Sequence, residues 1–322
     1  MRACRSCRRR SSLHARSPDS GCTGCARQPA RSCGADACCG ILDGGIVADE
    51  GDTVEDPIAA NRELWNAWAD AHVGSEFYDT EGFLAGRETI DQVELEGVGD
   101  VAGKSLLHLQ CHFGQTTLSW ARHGASVVGV DFSERGVAIA RELTEQLELD
   151  ARFICCDIYD TLEHLEGERF DVIFTSYGAI SWLPDLKRWA EVIAGALKPG
   201  GRFFIAEHHP FLWMFDDYTE ALVPPFKYPY FDANVLRWEE DGSYAAPDSG
   251  IKATSYSWQH TFDEIVNSLV GAGLRITSLR EYPYLAFQWF PTMVKGADGF
   301  WRMPEGAPDL PLMYSITAEA PE

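Results

Sequence analysis

Residues 104–131 read KSLLHLQCHFGQTTLSWARHGASVVGVD. The apolar run 105–109 has the length of a buried strand, and the loop Gln110-Cys111-His112-Phe113-Gly114 ends it. Positions 116–123 then carry Leu118 and Ala121 at helical spacing and stop at Gly124, a residue suited to a helix C-terminus. A second apolar run, 126–130, leads directly into Asp131. Strand, tight loop, helix and strand together make the front half of a parallel α/β sheet, where ligands sit off the carboxyl ends of the strands. An acid at the tip of the second strand can accept hydrogen bonds from both hydroxyls of a ribose. The stretch therefore points to a ligand that carries a nucleoside.

The same rhythm continues downstream. Ser133 can cap a helix running to about Leu147, and 152–156 reads as a third strand ending at Asp157-Ile158. Phe170-Asp171-Val172-Ile173-Phe174 is a fourth strand leading to Thr175-Ser176-Tyr177-Gly178. Leu186, Trp189, Ala190, Ile193 and Leu197 form a helical core stripe. The turn Lys198-Pro199-Gly200-Gly201 follows, in which proline fixes φ and glycine permits positive φ. A fifth strand, 202–206, delivers Glu207, His208, His209 and Pro210 at its carboxyl end. Thr261 and Glu264 open an amphipathic helix as a capping box, and 274–282 and 310–317 supply sixth and seventh strands.

The region 106–210 resembles the class I S-adenosylmethionine-dependent methyltransferases. Their first motif, apolar-Leu-Asp-Leu-Gly-Cys-Gly-x-Gly, aligns with Leu106-Leu107-His108-Leu109-Gln110-Cys111-His112-Phe113-Gly114. Cys111 and Gly114 match, while His108 stands for the family acid and Gln110 and His112 stand for the first two glycines. The later landmarks follow in order, Lys198-Pro199-Gly200-Gly201 among them. The resemblance implies a Rossmann-like seven-stranded α/β sheet with helices on both faces, and S-adenosylmethionine as cofactor. It also implies a set of contacts. The methionine end would lie on His108, Gln110, Cys111, His112 and Gly114, the ribose on Asp131 with Phe132 beside it, the adenine on Asp157 and Ile158, and Ser176 would face both cofactor and substrate.

Two segments interrupt this pattern. Before the first strand, Asp56-Pro57 starts a helix whose stripe Asn61, Trp65, Trp68 and His72 either roofs the cofactor or packs on the core. A second lid helix is expected over 81–93, which makes 47–100 an N-terminal lid region. Residues 211–258 are rich in aromatics and proline and read as a cap over the substrate pocket.

The net charge of −22 conceals a split. Residues 1–45 hold eight Arg against three acids and seven of the ten Cys, which leaves −27 on the rest of the chain. Residues 1–46 read as a disordered or spuriously included leader. The alternative for that segment is a zinc ribbon on Cys4, Cys7, Cys22 and Cys25. No metal is expected in the domain at 47–322. Its acidity disfavours nucleic acid and resembles the halophilic surface of proteins from salt-loaded cytoplasm. No apolar stretch is long enough to span a membrane. Three Cys in the body suit a reducing, cytoplasmic setting.

Methyl transfer is an in-line displacement that chiefly requires positioning, with a general base where the acceptor loses a proton. His208, His209 and His260 are the candidates for that base, although each also suits a structural hydrogen bond. Glu207 could orient a cationic acceptor. The expected function is S-adenosylmethionine-dependent methyl transfer to a small-molecule acceptor. Two alternatives stay open: a methyltransferase-like binding protein that does no chemistry, and a nicotinamide-dependent oxidoreductase, whose Gly-x-Gly-x-x-Gly is absent after the first strand.

Overall fold

Seven strands form the central sheet of the computed structural model, which describes residues 46–47, 56–216, 219–231 and 235–322. The expected leader at 1–46 and its cysteines lie outside the described residues apart from Ile46. In chain order the elements begin with β1 (Ile46–Val47), α1 (Pro57–Val73), α2 (Thr80–Leu84) and α3 (Gln92–Val98). The nucleotide-type half follows with β2 (Ser105–Leu109), α4 (Gln115–Arg122), β3 (Ser126–Asp131), α5 (Glu134–Leu147), β4 (Ala151–Cys155) and α6 (Thr161–His164). Then come β5 (Phe170–Ser176), α7 (Leu186–Ala196), β6 (Leu197–His208), β7 (Val235–Asp241), β8 (Lys252–Trp258) and α8 (Phe262–Gly271). The chain closes with β9 (Arg275–Tyr282), β10 (Val294–Lys295), β11 (Trp301–Arg302) and β12 (Met313–Glu319).

The sheet order is β4-β3-β2-β5-β6-β12-β9, and the first five strands are parallel. β12 runs antiparallel between β6 and β9. The chain winds outward from β2 to β4 and then restarts at β5 on the other side, so the strand order reverses between β2 and β5. That reversal leaves a crevice at the carboxyl ends of these two strands, the usual place for a ligand in such a sheet.

Alternation along the strands builds the two faces. Leu107, Leu109, Ile173, Phe203 and Ile205 pack under α7 and α8, while Leu106, Val172, Phe174, Phe204 and Ala206 pack on the other side with Trp120 and Val98. Both faces are apolar because helices cover both, as parallel sheets require.

The expected single helix over 81–93 is instead two. Gly86 takes φ +108°, which stops α2, and Asp91 with Glu94 forms a reciprocal capping box that starts α3 afresh. That box is visible in the sequence as Asp-x-x-Glu. α1 begins where expected, with the Asp56 carboxylate accepting from the amides of Ile58 and Ala59.

A smaller sheet of β1, β7 and β8 carries α1. The buried Asn61 side chain donates to the Tyr256 carbonyl and accepts from the Tyr256 amide, both at 2.8 Å. Trp68 Nε1 donates to the Gly242 carbonyl at 3.0 Å. Asn66 ties the same helix to the start of α5, accepting from Ser133 Oγ at 2.7 Å and donating to Glu134 at 2.7 Å. α1 is thereby fixed to both the β7–β8 hairpin and the main domain.

Candidate active site

The loop after β2 keeps a glycine backbone without its glycines. Gln110 and His112 take φ +57° and +52°, and Gly114 takes +82°. For L-residues this conformation costs roughly 1–2 kcal/mol each, so neighbouring contacts must hold it. The Asp131 carboxylate does so, accepting the His112 amide at 2.8 Å and the Ser133 amide at 2.9 Å. Cys111 N donates to the Val130 carbonyl at 3.0 Å. Gly114 has no room for a side chain, because a Cβ would lie 2.7 Å from the Phe153 ring and 2.9 Å from Ala140 Cβ.

Across the reversal point, Gln110 Nε2 donates to the Ala179 carbonyl at 2.7 Å and bridges the loops after β2 and β5. Its Oε1 is buried and has no hydrogen-bond partner. Burial raises the Asp131 carboxyl to about 6, against the pull of the amides it accepts.

α1 roofs this loop. His72 Nδ1 lies 2.9 Å from His112 Nε2, and His72 Nε2 lies 2.9 Å from Ser243 Oγ. The chain of hydrogen bonds joins cofactor-type loop, roof helix and hairpin. Trp65 stands edge-on to His112 and to Trp182, each at 5.1 Å. Burial holds His72 down to about 4 and His112 well below the ordinary histidine value, so both are neutral at neutral pH.

The remaining expected ligand residues sit differently. His108 is buried beneath α4 with Nδ1 2.8 Å from Thr117 Oγ1, and burial lowers it to about 3. Phe132 is half-buried with the Arg62 guanidinium 5.9 Å from its ring centre. Asp157 accepts from the Tyr159 amide at 3.0 Å and so caps the short turn that follows, and Ile158 is buried against the core. Ser176 ends β5, beside Tyr177, whose hydroxyl bonds Asp91.

The three histidines at the other end separate. His209 Nδ1 accepts from the Phe211 amide at 3.1 Å, and its Nε2 lies 3.1 Å from Glu281. His208 and His260 instead share a narrow crevice with Ser181, Trp213 and Trp258. His260 is engaged there, with Nε2 2.8 Å from the Leu183 carbonyl and Nδ1 3.1 Å from Glu264. Burial lowers His208, and neither of its ring nitrogens has a hydrogen-bond partner. Glu207 is not available to orient a cation as expected. Its carboxylate already accepts from the amides of Gly178 at 2.5 Å, Ala179 at 2.7 Å and His208 at 2.7 Å.

Sequence reasoning did not single out Ser181, Trp182, Ser243 or Tyr244. Only the Tyr244 aromatic ring in a Gly-Ser-Tyr turn offered a signal, because their roles depend on partners far away in the chain. Among the described residues no group of three or more His, Cys, Asp or Glu could hold a metal, and no helix is long and apolar enough to cross a membrane.

Residues 106–201 match a family described as a methyltransferase domain. A Coxiella burnetii protein named ubiquinone biosynthesis O-methyltransferase is 29% identical over 150 residues, covering 44% of this chain and 63% of that protein. An uncharacterized methyltransferase of Synechocystis is 32% identical over 136 residues, 41% of this chain and 60% of the relative. The chain thus spans under two thirds of the length of these relatives. A crystal structure from Listeria monocytogenes, provisionally assigned as an S-adenosylmethionine dependent methyltransferase, superposes with a TM-score of 0.52 at 21% identity. It covers 70% of this chain and 95% of its own, and establishes the shared fold.

Proposed function

We propose, from a chain that belongs by its 106–201 domain and its sheet to the class I S-adenosylmethionine-dependent methyltransferases, that it transfers a methyl group to a small-molecule acceptor. The observation that carries this reading is the loop Gln110–Gly114. It holds the backbone form of a glycine loop at the point where the strand order reverses, and it presents a buried, unpartnered Gln110 Oε1 beside the Asp131 carboxylate tip. An ammonium or hydroxyl donor would satisfy that oxygen.

S-adenosylmethionine is the cofactor, and it supplies an electrophilic methyl on a sulfonium. Asp131 would accept from the ribose hydroxyls, Phe132 and Ile158 would flank the adenine with Asp157 at its polar edge, and the 110–114 loop would hold the amino-acid end with Ser176 near the reacting centre. His108 supports the loop from below through Thr117. α1 and the β7–β8 hairpin would exclude water, which favours displacement in a closed site. Of the histidines, His208 and His260 are placed to meet an acceptor, and His209 positions the turn after β6.

The domain reading follows the same division. Residues 1–46 are a leader, 47–322 the catalytic domain, 47–100 the roof helices and 211–258 the acceptor cap. The protein is read as cytoplasmic, without affinity for nucleic acid or membrane.

Calorimetric titration of the full chain tests the proposal. S-adenosylhomocysteine should bind at one site per chain, and NADH should give no heat. Binding of NADH with no response to S-adenosylhomocysteine or S-adenosylmethionine overturns it.

A further inference from the structure

His208 is 5% exposed, yet both of its ring nitrogens lack a hydrogen-bond partner. A buried imidazole in that state loses roughly 1–3 kcal/mol for each polar atom left unsatisfied, so something that enters the crevice has to complete it. Its Nδ1 lies 3.5 Å from Glu207 Oε1, which orients the ring electrostatically and favours the tautomer protonated at Nδ1. Nε2 is then the acceptor. The Glu207 carboxylate cannot turn away, because three backbone amides of the turn after β5 and the amide of His208 hold it.

The walls near His208 are flat and apolar. Phe287 stands 4.8 Å and Trp289 5.0 Å from its ring, Trp213 lies 5.0 Å from Trp289, and Trp258 lines the same crevice. Among the described residues that line it there is no lysine or arginine, and Glu207 contributes a fixed negative charge. A carboxylate or phosphate entering here would lose its hydration beside an anion, with no cation to compensate. The crevice is narrow, which suits a planar group over a branched one.

We propose, resting on the methyl-transfer reading above, that this crevice takes an uncharged planar acceptor whose nucleophile is a phenol-type hydroxyl, and that His208 Nε2 receives its proton. As the acceptor oxygen forms its bond to the methyl carbon, its hydrogen passes to Nε2 and the carbon–sulfur electron pair stays on sulfur. The sulfonium charge is thereby exchanged for an imidazolium charge, which is relieved when His208 returns its proton to water. Glu207 is a positioning residue that favours this protonated state.

The test uses the full chain saturated with S-adenosylhomocysteine and follows quenching of tryptophan fluorescence at pH 7.5 by 4-propylphenol, 4-propylanisole and 4-propylbenzoate. The phenol should bind at least tenfold more tightly than the anisole, which has no proton to donate, and the benzoate should not bind. In His208→Leu the phenol should fall to the affinity of the anisole, while His208→Gln, which restores a hydrogen-bonding side chain, should recover part of the preference. Benzoate binding as tightly as the phenol, equal binding of phenol and anisole, no quenching by any of the three, or a phenol preference that survives His208→Leu overturns the inference alone. Failure of S-adenosylhomocysteine to bind the parent protein overturns the methyl-transfer reading and this inference together.

Discussion

The Asp131 carboxylate accepts the His112 amide at 2.8 Å, so the acid at the tip of β3 also shapes the loop after β2. One residue thus joins two tasks, the backbone form of the loop and the charge presented to a ligand. Loss of a charged hydrogen-bonding group costs roughly 1.5–3 kcal/mol, so Asp131→Ala should weaken S-adenosylhomocysteine binding about ten- to a hundredfold. Asp171→Ala is the comparison. Asp171 accepts from Ser105 N at 2.9 Å and Lys198 Nζ at 2.7 Å, away from the loop, so its loss should lower the melting temperature and leave affinity unchanged. Calorimetry on both folded variants checks this, and equal affinities would remove Asp131 from the ribose site.

Gly114 should tolerate no side chain, unlike positions 110 and 112. A Cβ at Gly114 meets the Phe153 ring at 2.7 Å and adds left-handed strain. Strain of roughly 1–2 kcal/mol plus overpacking of about 1–3 kcal/mol gives an expected loss above 2 kcal/mol for Gly114→Ala. Urea unfolding of the variant measures it. A midpoint equal to that of the parent would mean that the loop relaxes freely.

Much of this architecture is legible in the sequence, and the rest fails for identifiable reasons. The strands at 105–109 and 126–131 declare themselves because they are buried on both faces and therefore continuously apolar. The insertion of β12 between β6 and β9 is hidden, since antiparallel pairing such as Ile316 with Ile205 leaves no local mark. The break between α2 and α3 was readable at Gly86 and Asp91. His112 was readable only as a missing glycine, because its imidazole is explained by His72, forty residues earlier, which is near it only after folding. Likewise the sequence places three histidines in the right neighbourhood but cannot say that His209 is spent on Phe211 and Glu281 while His208 is not.

The roof should depend on one buried amide. Asn61 satisfies both backbone groups of Tyr256, and Asn61→Ala leaves them without partners at a cost of about 1–3 kcal/mol each. The expected result is a drop in melting temperature together with faster amide hydrogen exchange in both α1 and β8. Faster exchange in only one of them would show that the other is held independently.

Acid should destabilise the fold through histidines held neutral. His72 and His108 are lowered to about 4 and about 3, whereas the unfolded chain protonates them near 6.5. The unfolded state then binds more protons, so their contribution is complete above about pH 6.5 and fades as pH falls toward 4 and 3. Asp131 works in the opposite sense. Burial raises it to about 6, so its contribution is largest below its unfolded value and is lost as pH rises through 6. Urea midpoints between pH 4.5 and 7 should therefore rise less steeply with pH in His108→Gln than in the parent, and more steeply in Asp131→Asn. A parent slope reproduced by His108→Gln would mean that His108 is not neutral in the folded protein.

Salt should stabilise the domain strongly. The chain beyond residue 45 carries 46 acids against 19 basic residues, and many of its ion pairs, such as Lys252 with Asp241, are exposed and worth little. Repulsion among unpaired carboxylates is then the larger electrostatic effect, and screening relieves it as the Debye length falls from about 10 Å at 0.1 M to about 3 Å at 1 M. Exposed pairs are screened as well, but they are outnumbered, so the net effect is stabilising. Melting temperature should climb steadily from 0.1 to 2 M KCl. If the rise comes from screening, replacing a block of surface Glu by Gln should raise the low-salt melting temperature and flatten the curve. A parent curve that is flat across this range would mean that the acidic surface carries no stability cost for salt to relieve.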